Sequence, residues 1–132
     1  MVQALLRELP DVRFVLDHLG GPPVGTPALC HWEEMFRALA PHPNVSVKLS
    51  GLALALGRAD WTADMCRGAL DLALETFGPE RLMYGSDWPL VELVGGPARW
   101  QQAVGAIVAD LSPSERQSIF GATAARIYGL GG

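Results

Sequence analysis

Three short runs of β-branched and aromatic residues, each stopped by glycine or proline and each followed by a helical pattern, constrain this chain most. The first is Val12-Arg13-Phe14-Val15-Leu16-Asp17-His18, ending at Gly20-Gly21-Pro22-Pro23. Over residues 31–40, Trp32, Met35, Phe36 and Leu39 fall on one helical face, and Pro41 and Pro43 end that pattern. The second run is Val45-Ser46-Val47-Lys48-Leu49-Ser50. A connection carrying Gly51 and Gly57 leads from it to a helix over residues 61–77, closed by Gly78-Pro79. The third run is Arg81-Leu82-Met83-Tyr84-Gly85-Ser86-Asp87, halted by Pro89, with helices expected over 97–109, 113–120 and 122–128. Ser112-Pro113-Ser114-Glu115 has the spacing of a capping box with proline at the first helical position. Residues 2–9 read as the end of a preceding helix, as though the chain were cut from something longer.

Strand and helix alternating three times imply an α/β fold: a parallel sheet with right-handed crossovers and helices on at least one face. Three strands leave two sheet edges open, so a homo-oligomer formed through exposed edges is an expectation. At 132 residues, positions 1–132 are read as a single, partial domain. A hydrophobic fraction of 49% against 18% charged excludes a disordered chain. A net charge of −4 offers no attraction to phosphate backbones or anionic lipid, so neither nucleic acid nor membrane is an expected partner. The apolar stretch Leu52–Leu56 is far shorter than the ~20 residues of a membrane span. The N-terminus has no basic region followed by a long apolar run. Cys30 and Cys66 lack Cys-x-x-Cys spacing and read as free thiols in a reducing compartment, hence a cytoplasmic protein.

Ligands of parallel α/β sheets sit at the carboxyl ends of the strands, and that rule selects His18, Lys48 and Asp87. Lys48 shares a strand side with Ser46 and Ser50, opposite Val45, Val47 and Leu49. A lysine facing a barrel interior needs an anionic partner or water; the other reading is a solvated edge lysine. His18 follows Phe14 and Leu16 in phase and is either a site residue or a hydrogen-bonded structural histidine. Asp17, of opposite phase, is assigned to a neighbouring helix terminus or loop. Asp87 is either a functional carboxylate at the end of a buried strand or a turn residue. Trp88 is the one tryptophan placed to wall a pocket, with a core or lid position as its other reading. His31 and His42 are assigned to the surface. The chain has no phosphate-binding glycine loop, nucleophile elbow or metal-spaced Cys/His cluster.

Three motifs occur in order: Phe14-Val15-Leu16-Asp17-His18-Leu19-Gly20, Val47-Lys48-Leu49-Ser50-Gly51, and Gly78-Pro79-Glu80-Arg81-Leu82-Met83-Tyr84-Gly85-Ser86-Asp87-Trp88-Pro89. Together they resemble the amidohydrolase-related family that includes sugar-acid lactonases and 2-pyrone-4,6-dicarboxylate lactonase. Ala124-Ala125-Arg126-Ile127-Tyr128-Gly129-Leu130 resembles that family's C-terminus. The resemblance implies the C-terminal portion of a TIM-like (β/α)8 barrel, about three parallel strand–helix units plus C-terminal helices. It implies hydrolysis of a small-molecule cyclic ester of a sugar acid or related carboxylic acid, with Asp87 activating water. His18 would polarise the carbonyl directly, or through a divalent metal of the zinc or manganese class held with Asp87; a metal-free reaction is the other option. Lys48 and Trp88 would contact substrate.

The family's paired His-x-His belongs to a region this chain lacks. Gly21 stands where relatives carry a basic residue, and Thr123 where asparagine is usual. The competing expectation is a truncated, inactive α/β module that binds a ligand or self-associates.

Overall fold

The computed structural model describes residues 2–131. Strands β1 (Phe14–Leu16), β2 (Val45–Leu49) and β3 (Leu82–Tyr84) form a parallel sheet in the order β1-β2-β3. Phe14 lies opposite Val45, Val47 opposite Leu82, and Lys48 opposite Met83. Seven helices accompany the sheet among the described residues: α1 (Val2–Glu8), α2 (Leu29–Arg37), α3 (Leu52–Ala55), α4 (Ala63–Phe77), α5 (Gly96–Ile107), α6 (Pro113–Gln117) and α7 (Thr123–Tyr128). A π-helical turn, Ser118–Ala122, joins the last two.

The register explains the core. Partners in a parallel ladder point the same way, so Val45, Val47 and Leu49 share a face with Leu82. That face is closed off from solvent together with Leu70, Ala73 and Phe77 of α4 and Trp100 and Val104 of α5. Aromatic contacts tie the helices: Phe36 meets Phe77 edge-on at 5.1 Å, and Trp61 meets Trp100 at 6.0 Å. The capping box forms as its sequence predicts, with Ser112 Oγ accepting from Glu115 N (3.3 Å) and Glu115 Oε2 accepting from Ser112 N (2.8 Å).

Three local expectations are corrected. β1 and β3 end at Leu16 and Tyr84, before His18 and Asp87, because the backbone turns left-handed at both of those residues. The connection after β2 is not simply a loop: Leu52–Ala55 forms a helical turn that buries Leu52 and Ala53. α2 starts at Leu29 and ends at Arg37, and Met35 is exposed although Phe36 and Leu39 are buried. Met35 lies at the margin of the apolar stripe, where it lines a shallow groove of about 170 Å³ with Val2, Leu16 and Trp32. Thr123 makes a firm tie: its hydroxyl is buried and directed at the carbonyls of Glu80 (3.3 Å) and Pro79 (3.4 Å).

Arg126 also donates to the Glu80 carbonyl, and Arg13 Nη1 donates to the Arg126 carbonyl (3.0 Å). α7 is thereby bound to the segments entering β3 and β1, at the end of the sheet opposite the candidate site. Among the described residues β1 and β3 are each paired on one side only. None of the described helices is long and apolar enough to cross a membrane. Both cysteines are free; Cys30 is exposed, and burial pushes the Cys66 thiol up to about 11.

Candidate active site

The turn after β1 is held by its middle. Leu19 is fully buried, and its carbonyl accepts a hydrogen bond from Trp32 Nε1 at 3.0 Å. Pinning Leu19 inward forces a reversal, and His18 (φ 52°) and Leu19 (φ 55°) both occupy the left-handed region. Gly21 N closes the turn on the His18 carbonyl at 2.9 Å. The His18 imidazole is left projecting beyond the carboxyl end of the sheet.

Asp87 reaches the same place from β3. Gly85 continues the pairing by donating to the Leu49 carbonyl (3.2 Å), and its own carbonyl accepts from Trp100 Nε1 (3.0 Å). Beyond it, Ser86 Oγ accepts from Trp88 N (3.3 Å) and the Asp87 carbonyl accepts from Val91 N (3.0 Å). Asp87 itself has φ 62°, a conformation that aspartate adopts more readily than most residues. His18, Leu19 and Asp87 are the non-glycine residues with positive φ among those described. Such strain concentrates where surrounding structure holds a functional group in place.

β2 supplies the third side. Ser50 is buried, and its Oγ lies 2.8 Å from His18 Nδ1. Gly51 (φ +72°) lies directly against the imidazole: a Cβ there would stand 2.6 Å from Nδ1. Lys48 extends along the sheet past Gly85, where a Cβ would stand 3.1 Å from its Cγ and Cδ. The absence of side chains at Gly51 and Gly85 makes room for the histidine and the lysine respectively.

The functional atoms converge as follows. His18 Nε2 lies 3.9 Å from Asp87 Oδ1 and 3.3 Å from Asp17 Oδ2, and Lys48 Nζ lies 2.9 Å from Asp17 Oδ1. The Asp87 side chain is 14% exposed and that of Asp17 55%, so Asp87 is the sheltered carboxylate of the two. His18 and Asp87 share a cavity of about 280 Å³ with Pro22, Gly51, Leu52 and Leu90.

Burial works against the charge on Asp17, but the Lys48 hydrogen bond and the charges of Lys48 and His18 outweigh it and hold the carboxyl below its ordinary value. The hydrogen bond to Asp17 raises Lys48, against desolvation, with Tyr128 adding to the effect.

The structure brings His18, Lys48 and Asp87 together at one end of the sheet, as their strand positions predict. Lys48 has the anionic partner its interior position requires. That partner is Asp17, so the assignment of Asp17 to a helix terminus or loop is corrected. The phase of β1 does not extend past Leu16, because the left-handed turn at His18 and Leu19 cancels it. Ser50 was also missed as a site residue, although its phase with Lys48 signalled the correct side of the strand. Trp88 is 68% exposed and does not line the cavity shared by His18 and Asp87. His31 is exposed and His42 half-buried.

A parallel α/β sheet with a histidine and an aspartate converging beyond its strand ends is an arrangement found in (β/α)8-barrel and open doubly wound proteins alike. Comparison with known proteins makes the assignment definite: the Amidohydrolase family (Amidohydro_2) matches residues 1–130, and the chain belongs to it. It is 37% identical to the L-fucono-1,5-lactonase of Burkholderia multivorans (strain ATCC 17616 / 249), over 94% of this chain and 49% of that protein. A zinc-bound amidohydrolase structure from Burkholderia multivorans superposes with a TM-score of 0.86 at 37% identity, covering 97% of this chain and 48% of that one. A Pseudomonas putida structure described as a candidate 2-pyrone-4,6-dicarboxylic acid hydrolase gives a TM-score of 0.75 at 28% identity, over 96% and 47% of the two chains. The chain thus spans about half the length of the relatives it matches, and the strands and helices form part of an amidohydrolase barrel.

Proposed function

We propose that this chain carries the water-activating group of a barrel that hydrolyses a lactone of a sugar acid or related carboxylic acid. The observation that carries the reading is the approach of His18 Nε2 to Asp87 Oδ1, 3.9 Å apart in a shared cavity. Asp87, ionised, accepts a proton from water as the water oxygen adds to the lactone carbonyl carbon. The carbonyl π pair moves to oxygen, where a hydrogen bond from His18 Nε2–H stabilises the developing charge. Collapse of that adduct breaks the ring C–O bond. The proton held by Asp87 passes to the departing alkoxide, giving the open hydroxy acid. Lys48 holds a hydroxyl or carboxylate of the substrate.

The donor set fits a divalent metal in part. His18 Nε2 and Asp87 Oδ1 converge closely enough to serve one ion, yet no group of three or more metal-binding side chains is assembled among the described residues. His18 and Asp87 would hold an ion of the zinc or manganese class with donors from elsewhere in a barrel. When bound, it would supply Lewis acidity at the carbonyl. Association through the open edges of β1 and β3 is part of the same proposal for the isolated chain.

The test is proton release from a sugar-acid lactone by the complete barrel with and without Asp87→Asn. The expected loss in turnover is about 10²- to 10⁴-fold with the fold unchanged. Near-normal turnover would remove Asp87 from the chemistry.

A further inference from the structure

Ser50 contacts the imidazole that the proposed chemistry uses, from the side away from the cavity. It is 1% exposed at the end of β2, and its Oγ lies 2.8 Å from His18 Nδ1. A hydroxyl can donate to an imidazole nitrogen or accept from it, so the contact alone leaves the tautomer open. Two further observations decide it.

The first is that Ser50 Oγ makes no other side-chain hydrogen bond among the described residues. If Nδ1 carried the proton and Ser50 accepted it, the hydroxyl hydrogen would be left without a partner in a buried position. If Ser50 donates to a bare Nδ1, its hydrogen is satisfied; only oxygen lone pairs remain, which are cheaper to leave unpaired. The second lies at the other nitrogen. Nε2 faces Oδ2 of Asp17 at 3.3 Å and Oδ1 of Asp87 at 3.9 Å. Two carboxylate oxygens attract a proton at Nε2 and disfavour a bare lone pair there. Both ends of the ring therefore favour the same tautomer.

We propose that Ser50 is a positioning residue that fixes neutral His18 with its proton on Nε2, directed at the cavity. Gly51 supports it: the imidazole packs against Gly51 so closely that a Cβ would stand 2.6 Å from Nδ1, which holds the ring within reach of Ser50. His18 is thereby preset as a hydrogen-bond donor toward a substrate carbonyl oxygen. Loading a metal on Nε2 requires the opposite tautomer, with the Ser50 hydroxyl rotated to accept from Nδ1. The serine therefore favours the donor role of His18 until an ion displaces that proton.

The inference rests on the proposed role of His18, but its test is separate from turnover. Nitrogen-15 spectra of the metal-free chain, labelled at histidine and recorded where the ring is neutral, distinguish a bare from a protonated ring nitrogen. His18→Gln identifies the His18 signals. In the wild-type chain Nδ1 is expected bare and Nε2 protonated; in Ser50→Ala the two tautomers should become mixed. A protonated Nδ1 in the metal-free wild type overturns the proposal, whatever the variant does. An unchanged tautomer in a folded Ser50→Ala chain also overturns it. Failure of Asp87→Asn to reduce turnover would leave this result standing, so the two ideas fail separately.

Discussion

Nζ of Lys48 and Oδ1 of Asp17 lie 2.9 Å apart, an ion pair that links the carboxyl ends of β2 and β1. Its partners are unequally sheltered, with side chains 29% and 55% exposed, so solvent screening limits its contribution to at most ~1 kcal/mol. Asp17 has a folded pKa below its ordinary 3.8; its contribution is present above 3.8 and disappears as the pH falls through the lower folded value. Lys48 is raised above 10.5, so its contribution is complete below that value and disappears only as the pH rises through the higher folded value. Asp17→Asn should therefore lower stability by under about 1 kcal/mol where Asp17 is ionised, between about pH 5 and 9. The difference should close in acid. Urea unfolding midpoints of both proteins across that range would show it, and a gap that widens below pH 4 would contradict the pairing.

Gly51→Ala should damage the site more than the fold. Residue 51 has φ +72°, and its Cβ would meet His18 Nδ1, Cγ and Cβ at 2.6, 2.7 and 2.9 Å. Left-handed alanine costs about 1–2 kcal/mol, and relief of the contact must move the imidazole away from Ser50. Chemical unfolding should report that loss. The His18 ring signals should shift more than those of His31 and His42, which lie away from the site. Unshifted His18 signals would mean that Gly51 does not hold the ring.

How far these relationships could be read from sequence depended on the element that carried them. The β2 register is legible because Val45–Ser50 alternates cleanly and Gly51 ends it, so the side of the strand that carries Lys48 follows from phase, while the choice between an anionic partner and water does not. Phase misled after β1. Phe14 to His18 looks continuous, yet burial of Leu19 and the Trp32 bond to its carbonyl turn the chain at Asp17. That turn brings Asp17 to Lys48, which no one-dimensional period expresses. Asp87 was found by its position at a strand end, although the strand stops at Tyr84 and a long-range bond from Trp100 secures the segment between. Trp88 was singled out by adjacency, which does not determine side-chain direction.

Thr123→Val should test the tie between α7 and the segment entering β3. The Thr123 hydroxyl is buried and reaches the Glu80 and Pro79 carbonyls at 3.3 and 3.4 Å, while Arg126 also serves Glu80. Valine keeps the shape and removes the donor, so the expected loss is about 0.5–1.5 kcal/mol. Because the tie lies at the opposite end of the sheet from His18 and Asp87, a lactonase barrel carrying the change should keep its turnover. Calorimetric unfolding and a lactone assay at a temperature where both proteins are folded would separate these effects. A fall in turnover there would mean that the tie at Thr123 also sets the position of the site, through Tyr128 beside Lys48.

Trp100→Phe addresses the other end, where α5 holds the segment leading to Asp87. Trp100 is 1% exposed, packs edge-on against Trp61 and donates Nε1–H to the Gly85 carbonyl at 3.0 Å. Gly85 is also paired with Leu49, so the indole fixes the chain two residues before Asp87 from the helix side while β2 fixes it from the sheet side. Phenylalanine retains aromatic packing, loses the donor and leaves a small void. The expected cost is about 1–3 kcal/mol, from an unpaired part-buried carbonyl together with lost volume. Freed on one side, Asp87 should sample positions farther from His18. In a barrel active on lactones, kcat should then fall by about tenfold or more, since small displacements of a reacting group carry large rate penalties. KM should change little, because the proposed substrate contacts of Lys48 are carried on β2. Steady-state kinetics beside thermal unfolding would decide between positioning and simple stability: an unchanged kcat in a destabilised protein would reduce Trp100 to a core residue.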